Sequence, residues 1–261
     1  MMKFQVLTLF PEAIAPYIAS SILGRAVGKK LLEIDLIQIR NFAVNEYGKV
    51  DDNLYGGGSG MLMMAEPIWQ AWCFANRLIP DSADKYQVSS KTKTLYLSPR
   101  GRIFNHRYAQ ELLEAEQIIL ICGHYEGVDE RVIEKTGAEE VSLGDFVLTG
   151  GELGALIVVD AVSRLIPGVL SDTAWRQESH AEGLLEEPQY TRPADWRGLK
   201  VPAVLLSGHE AEIKRWRRLA ALNVTLEQRP DLLGEYPLSA AEWEELLDFR
   251  ANDTDDKPVN P

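Results

Sequence analysis

The segment SLGDFVLTGGE, residues 142–152, could do chemistry through its backbone rather than through reactive side chains. Gly144, Gly150 and Gly151 lack the side chains that would keep a ligand away from the main chain. Exposed backbone N–H and C=O groups can form hydrogen bonds with a flat, polar, uncharged molecule. The segment runs directly into the largely apolar stretch 152–165, which is typical of a buried helix. We therefore expect a small-molecule site built mainly from peptide groups.

Several other catalytic patterns are absent from the sequence. It contains no GxxxxGK[ST] phosphate loop, and the glycines at 150–154 lack the spacing of a dinucleotide fingerprint. No GxSxG nucleophile elbow stands between a strand and a helix. The two cysteines and four histidines are scattered singly, so neither a disulfide framework nor a zinc site is predicted.

Strands and helices alternate through the first 165 residues, which predicts a parallel α/β sheet with helices on both faces. Predicted strands cover residues 3–10, 31–40, 94–98, 117–122 and 139–144, and predicted helices cover 11–23, 66–78, 106–116, 129–135 and 152–165. Ligands of such sheets bind at the carboxyl ends of the strands. Three loops follow predicted strands and should meet there: LSPRG (97–101), CGHYEG (122–127) and SLGDFVLTGG (142–151).

The sequence pattern changes after residue 165. A long segment without clear periodicity follows, and within a domain such a segment usually marks function or a linker. Helical patterns then return before a short tail that is rich in Asp and poor in apolar residues. We predict an α/β domain at 1–165, a linker at 166–192, a small helical domain at 193–250 and a disordered tail at 251–261.

Charge gives two opposed indications about a nucleic-acid partner. The formal net charge of −12 argues against one, because phosphate binding needs positive charge. The predicted helix at 213–220 is an exception, since Lys214, Arg215, Arg217 and Arg218 fall on one side at about 100° per residue. Phosphates respond to the local field, so this side is a candidate RNA surface. An ordinary solvated face is the alternative.

Nothing in the sequence predicts a membrane partner. No apolar run approaches the roughly 20 residues that span a bilayer. The first residues are typical of a strand rather than of a signal peptide. Because Cys73 and Cys122 form no disulfide framework, we expect a reducing, cytoplasmic location.

A series of motifs, in order along the chain, resembles the bacterial TrmD-type tRNA (guanine-N1)-methyltransferases, of the trefoil-knotted class that uses S-adenosylmethionine (AdoMet). The motifs are GRAV (24–27), VDD (50–52), YGGGSGMLMM (55–64), LYLSPRG (95–101), CGHYEGVDER (122–131), SLGDFVLTGGE (142–152), SRLIPGVL (163–170), ESHAEGLLEEPQYTRP (178–193) and VPAVLLSGHEAEIKRWR (201–217). The resemblance extends over about residues 4 to 250. It implies a trefoil knot, which periodicity cannot show because knots are very rare.

The resemblance implies methyl transfer from AdoMet to N1 of the guanine immediately 3′ of the tRNA anticodon, position 37. It also implies that the three loops bind AdoMet. The implied cofactor-binding residues are Leu97, Ser98, Pro99, Gly123, Tyr125, Glu126, Ser142, Leu143, Gly144, Asp145, Phe146, Val147, Leu148, Gly150 and Gly151. Phe146 stands where the family often has Tyr, which removes only a hydroxyl group.

Two catalytic residues are implied in the same way. Neutral guanine carries a proton at N1, so a base must remove it during transfer. Glu178 matches the family's aspartate in this role, in a linker one residue shorter, and Asp172 is the alternative base. Arg164 matches an arginine that can stabilise negative charge growing on guanine O6. An ion pair with Asp160, four residues earlier, is the other interpretation of Arg164.

Partners follow from the resemblance as well. It implies tRNA as substrate, Mg²⁺ near Glu126, and a homodimer in which the linker of one chain closes over the AdoMet pocket of the other. Arg25, Arg192 and His209 are further RNA-binding candidates. Two alternatives stay open: a knotted methyltransferase acting on a ribose 2′-OH or another base, and an RNA-binding module without turnover.

Overall fold

A computed structural model of the chain describes residues 1–80, 88–171, 179–180 and 183–253. The chain divides into two compact units, Met1–Asp172 and Thr173–Pro261. The boundary between them falls inside the segment 166–192 that the sequence predicts as a linker.

The first unit is an α/β structure around a parallel sheet. Its elements are β1 (Met2–Thr8), α1 (Pro11–Ile18), α2 (Ser21–Gly28), β2 (Leu32–Gln38), a 3-10 helix (Ile39–Phe42), β3 (Asp51–Asn53), β4 (Met61–Met63), α3 (Ala65–Ala75), β5 (Thr92–Ile103), α4 (His106–Leu112), β6 (Gln117–Ile121), α5 (Glu130–Thr136), β7 (Glu139–Ser142) and α6 (Glu152–Ser163). Five strands pair in the order β2-β1-β6-β5-β7, and every pairing is parallel. The predicted parallel α/β sheet is confirmed.

Both faces of this sheet are buried. Ile119 of β6 packs in one core with Trp72 of α3 and Val132 of α5. Its neighbours Ile118 and Leu120 are also fully buried. Successive side chains of a strand point to opposite faces, so both faces must be covered. A parallel sheet requires such cover, and α6, which contacts β1, α1 and α4, contributes to it.

Local structure differs from the sequence prediction at two polar turns. The predicted helix at 11–23 is two helices, because the chain turns where Ser21 adopts a positive φ of 49°. Gly24 then approaches Ala19 so closely that a Cβ would lie 2.4 Å from the Ala19 carbonyl oxygen. The loop after residue 40 also contains the antiparallel pair β3–β4, which has no clear signal in a polar, glycine-rich stretch.

Strand β5 continues past its predicted end and pairs with β7 twice. Leu97 and Arg102 both lie opposite Val141, with the intervening residues bulging out of the sheet. The chain returns through Gly101, where a Cβ would lie 2.2 Å from the Val141 nitrogen. Gly101 is therefore required by close backbone approach.

The second unit is mainly helical over its described residues. It contains β8 (Asp195–Trp196), β9 (Leu199–Lys200), α7 (Ala203–Leu206), α8 (Glu210–Gln228), α9 (Pro230–Glu235) and α10 (Ala240–Asp253). Leu184, Leu222, Leu233 and Leu246 form its buried core. Among all described residues, no helix combines the length and the apolar character needed to cross a membrane.

Helix α10 begins with a capping box. The Ser239 N–H donates to the Glu242 carboxylate at 3.0 Å, and Arg218 of α8 donates to the same group at 3.0 Å. These hydrogen bonds, first that from the Ser239 backbone and then that from Arg218, lower the pKa of Glu242 to about 2. The ionised carboxylate thus connects the start of α10 to α8.

We expect Gly101→Ala to destabilise the first unit, because the added methyl group would collide with backbone that is held in the sheet. Gly28→Ala is the matched control, since nothing lies within 4 Å of the Cβ position there. Urea unfolding should show a loss of about 2 kcal/mol or more for Gly101→Ala. Gly28→Ala should stay within about 0.5 kcal/mol of the parent. Equal unfolding free energies for the two variants would contradict the close approach.

Candidate functional site

A cavity of about 620 Å³ opens at the carboxyl ends of β5, β6 and β7. The LSPRG, CGHYEG and 142–151 loops all contribute to its wall. Its volume lies within the range of roughly 300–1,000 Å³ that small-molecule sites occupy. The three loops that follow the strands therefore do meet at one site.

Most of the residues predicted to bind a cofactor line this cavity. They are Leu97, Ser98, Pro99, Gly123, Tyr125, Glu126, Ser142, Leu143, Phe146, Val147, Leu148, Gly150 and Gly151. Gly144 and Asp145 are not on its wall. The Ser142 hydroxyl accepts from the Gly144 N–H and donates to the Gly144 carbonyl, each at 3.2 Å. This turn leads the chain on to Phe146, which does line the cavity.

Other residues of the wall were not singled out from the sequence. They are Leu62, Tyr96, Arg100, His124, Gly127, Val128, Glu130, Val141, Thr149 and Gly154. Tyr96 packs under the CGHYEG loop, where a Cβ on Gly123 would lie 3.0 Å from its ring. Burial raises the pKa of the Tyr96 hydroxyl, so it stays protonated. Its position directly before LSPRG is the one feature of the sequence that could have predicted Tyr96 on the wall.

The turn at the end of the 142–151 loop presses against the CGHYEG loop. The Gly151 N–H donates to the Gly123 carbonyl at 3.0 Å. His124 and Gly150 also form an isolated antiparallel β-bridge. A Cβ on Gly151 would lie 2.7 Å from the Cα of Cys122. Only glycine allows the two loops to come this close.

Thr8, Glu152 and His124 form a buried polar cluster whose hydrogen bonds connect these loops to the end of β1. We call it the Thr8–Glu152–His124 cluster. The Glu152 carboxylate, in a residue that is 8% exposed, accepts from the Thr8 hydroxyl at 2.5 Å and pairs with His124 Nε2 at 2.7 Å. Glu152 is the first residue of α6, where the helix dipole favours negative charge. Its position directly after two glycines was the only sequence signal.

The charged groups on the wall are few. Arg100 donates to Glu130 and Glu140, in each case at 2.9 Å, and these hydrogen bonds raise the pKa of its guanidinium. The Glu126 carboxylate lies beside Gly60, where a Cβ would meet its Oε1 at 2.6 Å. Among the described residues, no three His, Cys, Asp or Glu side chains converge as a metal site would require.

The structure describes only one of the three candidate catalytic residues, Arg164. Glu178 and Asp172 lie outside the described residues. Arg164 follows the last residue of α6, and its backbone N–H donates to the Asp160 carbonyl at 3.1 Å. Its side chain is partly buried.

Six of the seven predicted RNA-binding residues are exposed, and Arg218 is partly buried. Arg25 lies in α2, Arg192 precedes β8, His209 caps the start of α8, and Lys214 lies in its first turns. They are distributed over both units.

The other basic residues of α8 form ion pairs within the second unit. The pairs are Arg215–Glu245 at 3.5 Å, Arg217–Glu187 at 3.4 Å and Arg218–Glu242 at 3.0 Å. Arg218 also donates to the Tyr236 hydroxyl at 2.9 Å. Periodicity placed Arg218 on the solvent side, but the structure turns it toward α10.

The fold and the cavity define an α/β protein with a small-molecule site at the carboxyl ends of parallel strands. A family model described as tRNA (Guanine-1)-methyltransferase TrmD matches residues 2–235. The tRNA (guanine-N(1)-)-methyltransferase of Ruminiclostridium cellulolyticum is 49% identical over 237 residues, 90% of this chain and 98% of the relative. The protein of the same name from Geotalea uraniireducens is 50% identical over 250 residues, 95% and 97% of the two chains. The chain belongs to the TrmD family, as the motifs predict.

We expect Glu152→Ala to destabilise the first unit, because it leaves the Thr8 hydroxyl and a His124 ring nitrogen without their buried partner. The cost should be about 1–3 kcal/mol in urea unfolding. Glu152→Gln keeps the shape and an acceptor for Thr8, so it should cost less. Glu12→Ala is the control, since Glu12 is an exposed acid in the first turn of α1. If Glu152→Ala unfolds at the same urea concentration as Glu12→Ala, the cluster does not hold the site.

Proposed function

We propose that the protein transfers a methyl group from AdoMet to N1 of the guanine immediately 3′ of the tRNA anticodon, position 37. The observation that carries this proposal is the family match over residues 2–235. The two named relatives are covered almost completely by the same chain. The protein is thus a methyltransferase that acts in tRNA processing, and its tRNA substrate favours a cytoplasmic location.

The cavity fits AdoMet in its chemistry. AdoMet supplies a methyl group on a positively charged sulfur. Backbone N–H and C=O groups of the three loops on the cavity wall can form hydrogen bonds with an uncharged adenine ring. The charge of Arg100 is offset by Glu130 and Glu140, so this part of the wall does not repel a cation. These features support a donor site made of the three loops.

The trefoil knot and the helical tRNA-binding domain are further parts of the proposal. Two close passages support a knot: Gly101 against the β7 backbone, and Gly151 against Cys122. A chain that threads a tight loop needs such small residues at its crossings. Helices α8 and α10, with exposed Lys214, support the tRNA-binding domain.

We assign proton removal from guanine N1 to Glu178, with Asp172 as the alternative. As N1 loses its proton, negative charge develops on guanine O6. A guanidinium stays charged at all relevant pH values and can stabilise that oxygen, which suits Arg164.

Magnesium is proposed with Glu126 as its protein ligand. The described residues offer no cluster of three ligands, but Mg²⁺ commonly keeps several waters and binds one or two carboxylates. Glu126 is exposed on the cavity wall, which is compatible with such a site. The ion would offset negative charge beside the reacting base.

A homodimer is supported by α6. Leu153 and Ile157 are 60% and 47% exposed, and large apolar side chains on one face favour a protein interface. Arg164 lies eleven residues after Leu153 and seven after Ile157, a helical spacing that places it on the same face. Arg164 is also about 15 Å along the axis from Gly154, which lines the donor cavity. A partner chain can complete a site that one chain leaves spread along a helix.

The decisive experiment is methyl transfer to an unmodified tRNA transcript with guanine at position 37, followed by mass spectrometry of the digested product. We expect 1-methylguanine at position 37 with the parent protein. Glu178→Gln should lower the rate about 10²- to 10⁴-fold while AdoMet affinity is retained, because only proton removal is lost.

Asp172→Asn is the matched control and should keep near-parent activity. A large loss in Asp172→Asn with none in Glu178→Gln would move the base to Asp172. Methylation at a ribose or another base would identify a different knotted methyltransferase. Tight AdoMet and tRNA binding without any product would identify a binding module.

We expect Leu153→Glu with Ile157→Glu to yield monomers that bind tRNA and AdoMet poorly and transfer no methyl group, because two buried charges would oppose the interface. Light scattering coupled to size-exclusion chromatography measures the mass. Leu247→Glu is the control, since Leu247 of α10 is also 60% exposed. A parent that is already monomeric and active would exclude the shared site.

A further inference from the structure

A short hairpin in the second unit projects two large apolar side chains into solvent. Strands β8 and β9 pair Trp196 with Leu199 and Asp195 with Lys200. Arg197 and Gly198 between them both have positive φ, 55° and 86°, as a two-residue type I′ turn requires. The Gly198 N–H donates to the Asp195 carboxylate at 2.9 Å, which closes the turn. The hairpin therefore presents its side chains on a defined backbone.

The apolar side chains of this hairpin contribute little to any core of their own chain. Trp196 and Leu199 are directly opposite one another and so share one face of the hairpin. They are 57% and 62% exposed. The Arg197 guanidinium lies 5.2 Å from the centre of the Trp196 ring, so it covers part of the indole. An exposed aromatic and aliphatic pair of this kind marks a contact surface.

The charge of the segment that contains the hairpin indicates what kind of partner would bind there. Residues 189–200 carry Arg192, Arg197 and Lys200 against a single carboxylate, Asp195, in a chain of net charge −12. With Asp195 counted, the segment still carries a net charge of +2, three cations minus one carboxylate. Cations interleaved with an exposed aromatic ring suit single-stranded nucleic acid, whose phosphates pair with the cations while a base stacks on the ring.

We propose that this hairpin is a tRNA-binding element in which Trp196 stacks on an unpaired base and Arg197 and Lys200 contact phosphates. The proposal rests on the proposed function for the identity of the RNA. It adds a contact that is separate from the basic residues of α8.

The test compares equilibrium binding of an unmodified tRNA transcript by the parent and by Trp196→Ala. Loss of one stacked base should weaken tRNA binding about tenfold. Trp196→Phe keeps an aromatic face and should restore most of it. Trp243→Ala is the control, because Trp243 is a surface tryptophan, 37% exposed, that belongs to α10 and not to the hairpin. AdoMet affinity should be the same in all four proteins.

A second variant tests the charges without removing any apolar side chain. Arg197→Gln with Lys200→Gln should reduce the slope of log K against log salt by about 1.4, the effect of two lost phosphate contacts to a single strand. Unchanged tRNA affinity and salt slope would overturn the proposal even if the parent methylates position 37. A lower molecular mass in Trp196→Ala with parent-like tRNA affinity would instead make the hairpin a subunit contact. A parent that binds no tRNA would refute both this proposal and the proposed function.

Discussion

The cavity at the carboxyl ends of β5, β6 and β7 depends on one close contact, that between Gly151 and the backbone at Cys122 and Gly123. The hydrogen bond from Gly151 to Gly123 fixes the end of the 142–151 loop on the end of β6. Any side chain at 151 would separate them, since its first carbon would lie 2.7 Å from Cys122. The Thr8–Glu152–His124 cluster then holds the start of α6 against β1. With these elements fixed, the loops that line the cavity are held in place before any ligand arrives, which lowers the entropic cost of binding.

Sequence patterns predict the strands and loops of this site but not its internal contacts. Strand β6 and helix α5 lie within a residue of their predicted bounds, because an apolar run that ends before Gly123 and a helix that begins after Asp129 are strong local signals. The carboxyl-end rule for parallel sheets then brings the three loops together. Glu152 contacts Thr8 and His124 across 144 and 28 residues, a separation that no local pattern can encode. The β3–β4 and β8–β9 pairs were missed because two- and three-residue strands leave no periodicity to detect.

The acidic net charge does not describe the field that a tRNA would meet. Arg215 and Arg217 of α8 form ion pairs in which their own side chains are more than half exposed, and exposed pairs contribute little to stability. A phosphate can therefore replace Glu245 as the partner of Arg215 at small cost, whereas Glu187, the partner of Arg217, is only 16% exposed. Arg218 differs, because its contacts with Tyr236 and Glu242 join α8 to α10. Arg215 of α8 is thus accessible to an RNA phosphate, whereas Arg218 of the same helix maintains the fold.

Helix α6 connects the proposed donor site with the proposed dimer and the proposed catalytic arginine. Gly154 in its first turn lines the cavity, and Leu153 and Ile157 form an exposed apolar stripe whose helical spacing continues to the partly buried Arg164. A two-fold interface through this stripe would pack it against its own copy, since isologous contacts use the same surface twice. If the two helices run antiparallel, each Arg164 comes to the end of the partner helix where the partner's cavity opens. Burial of the apolar stripe would then be the same event that completes both sites, so assembly and catalysis would depend on one surface.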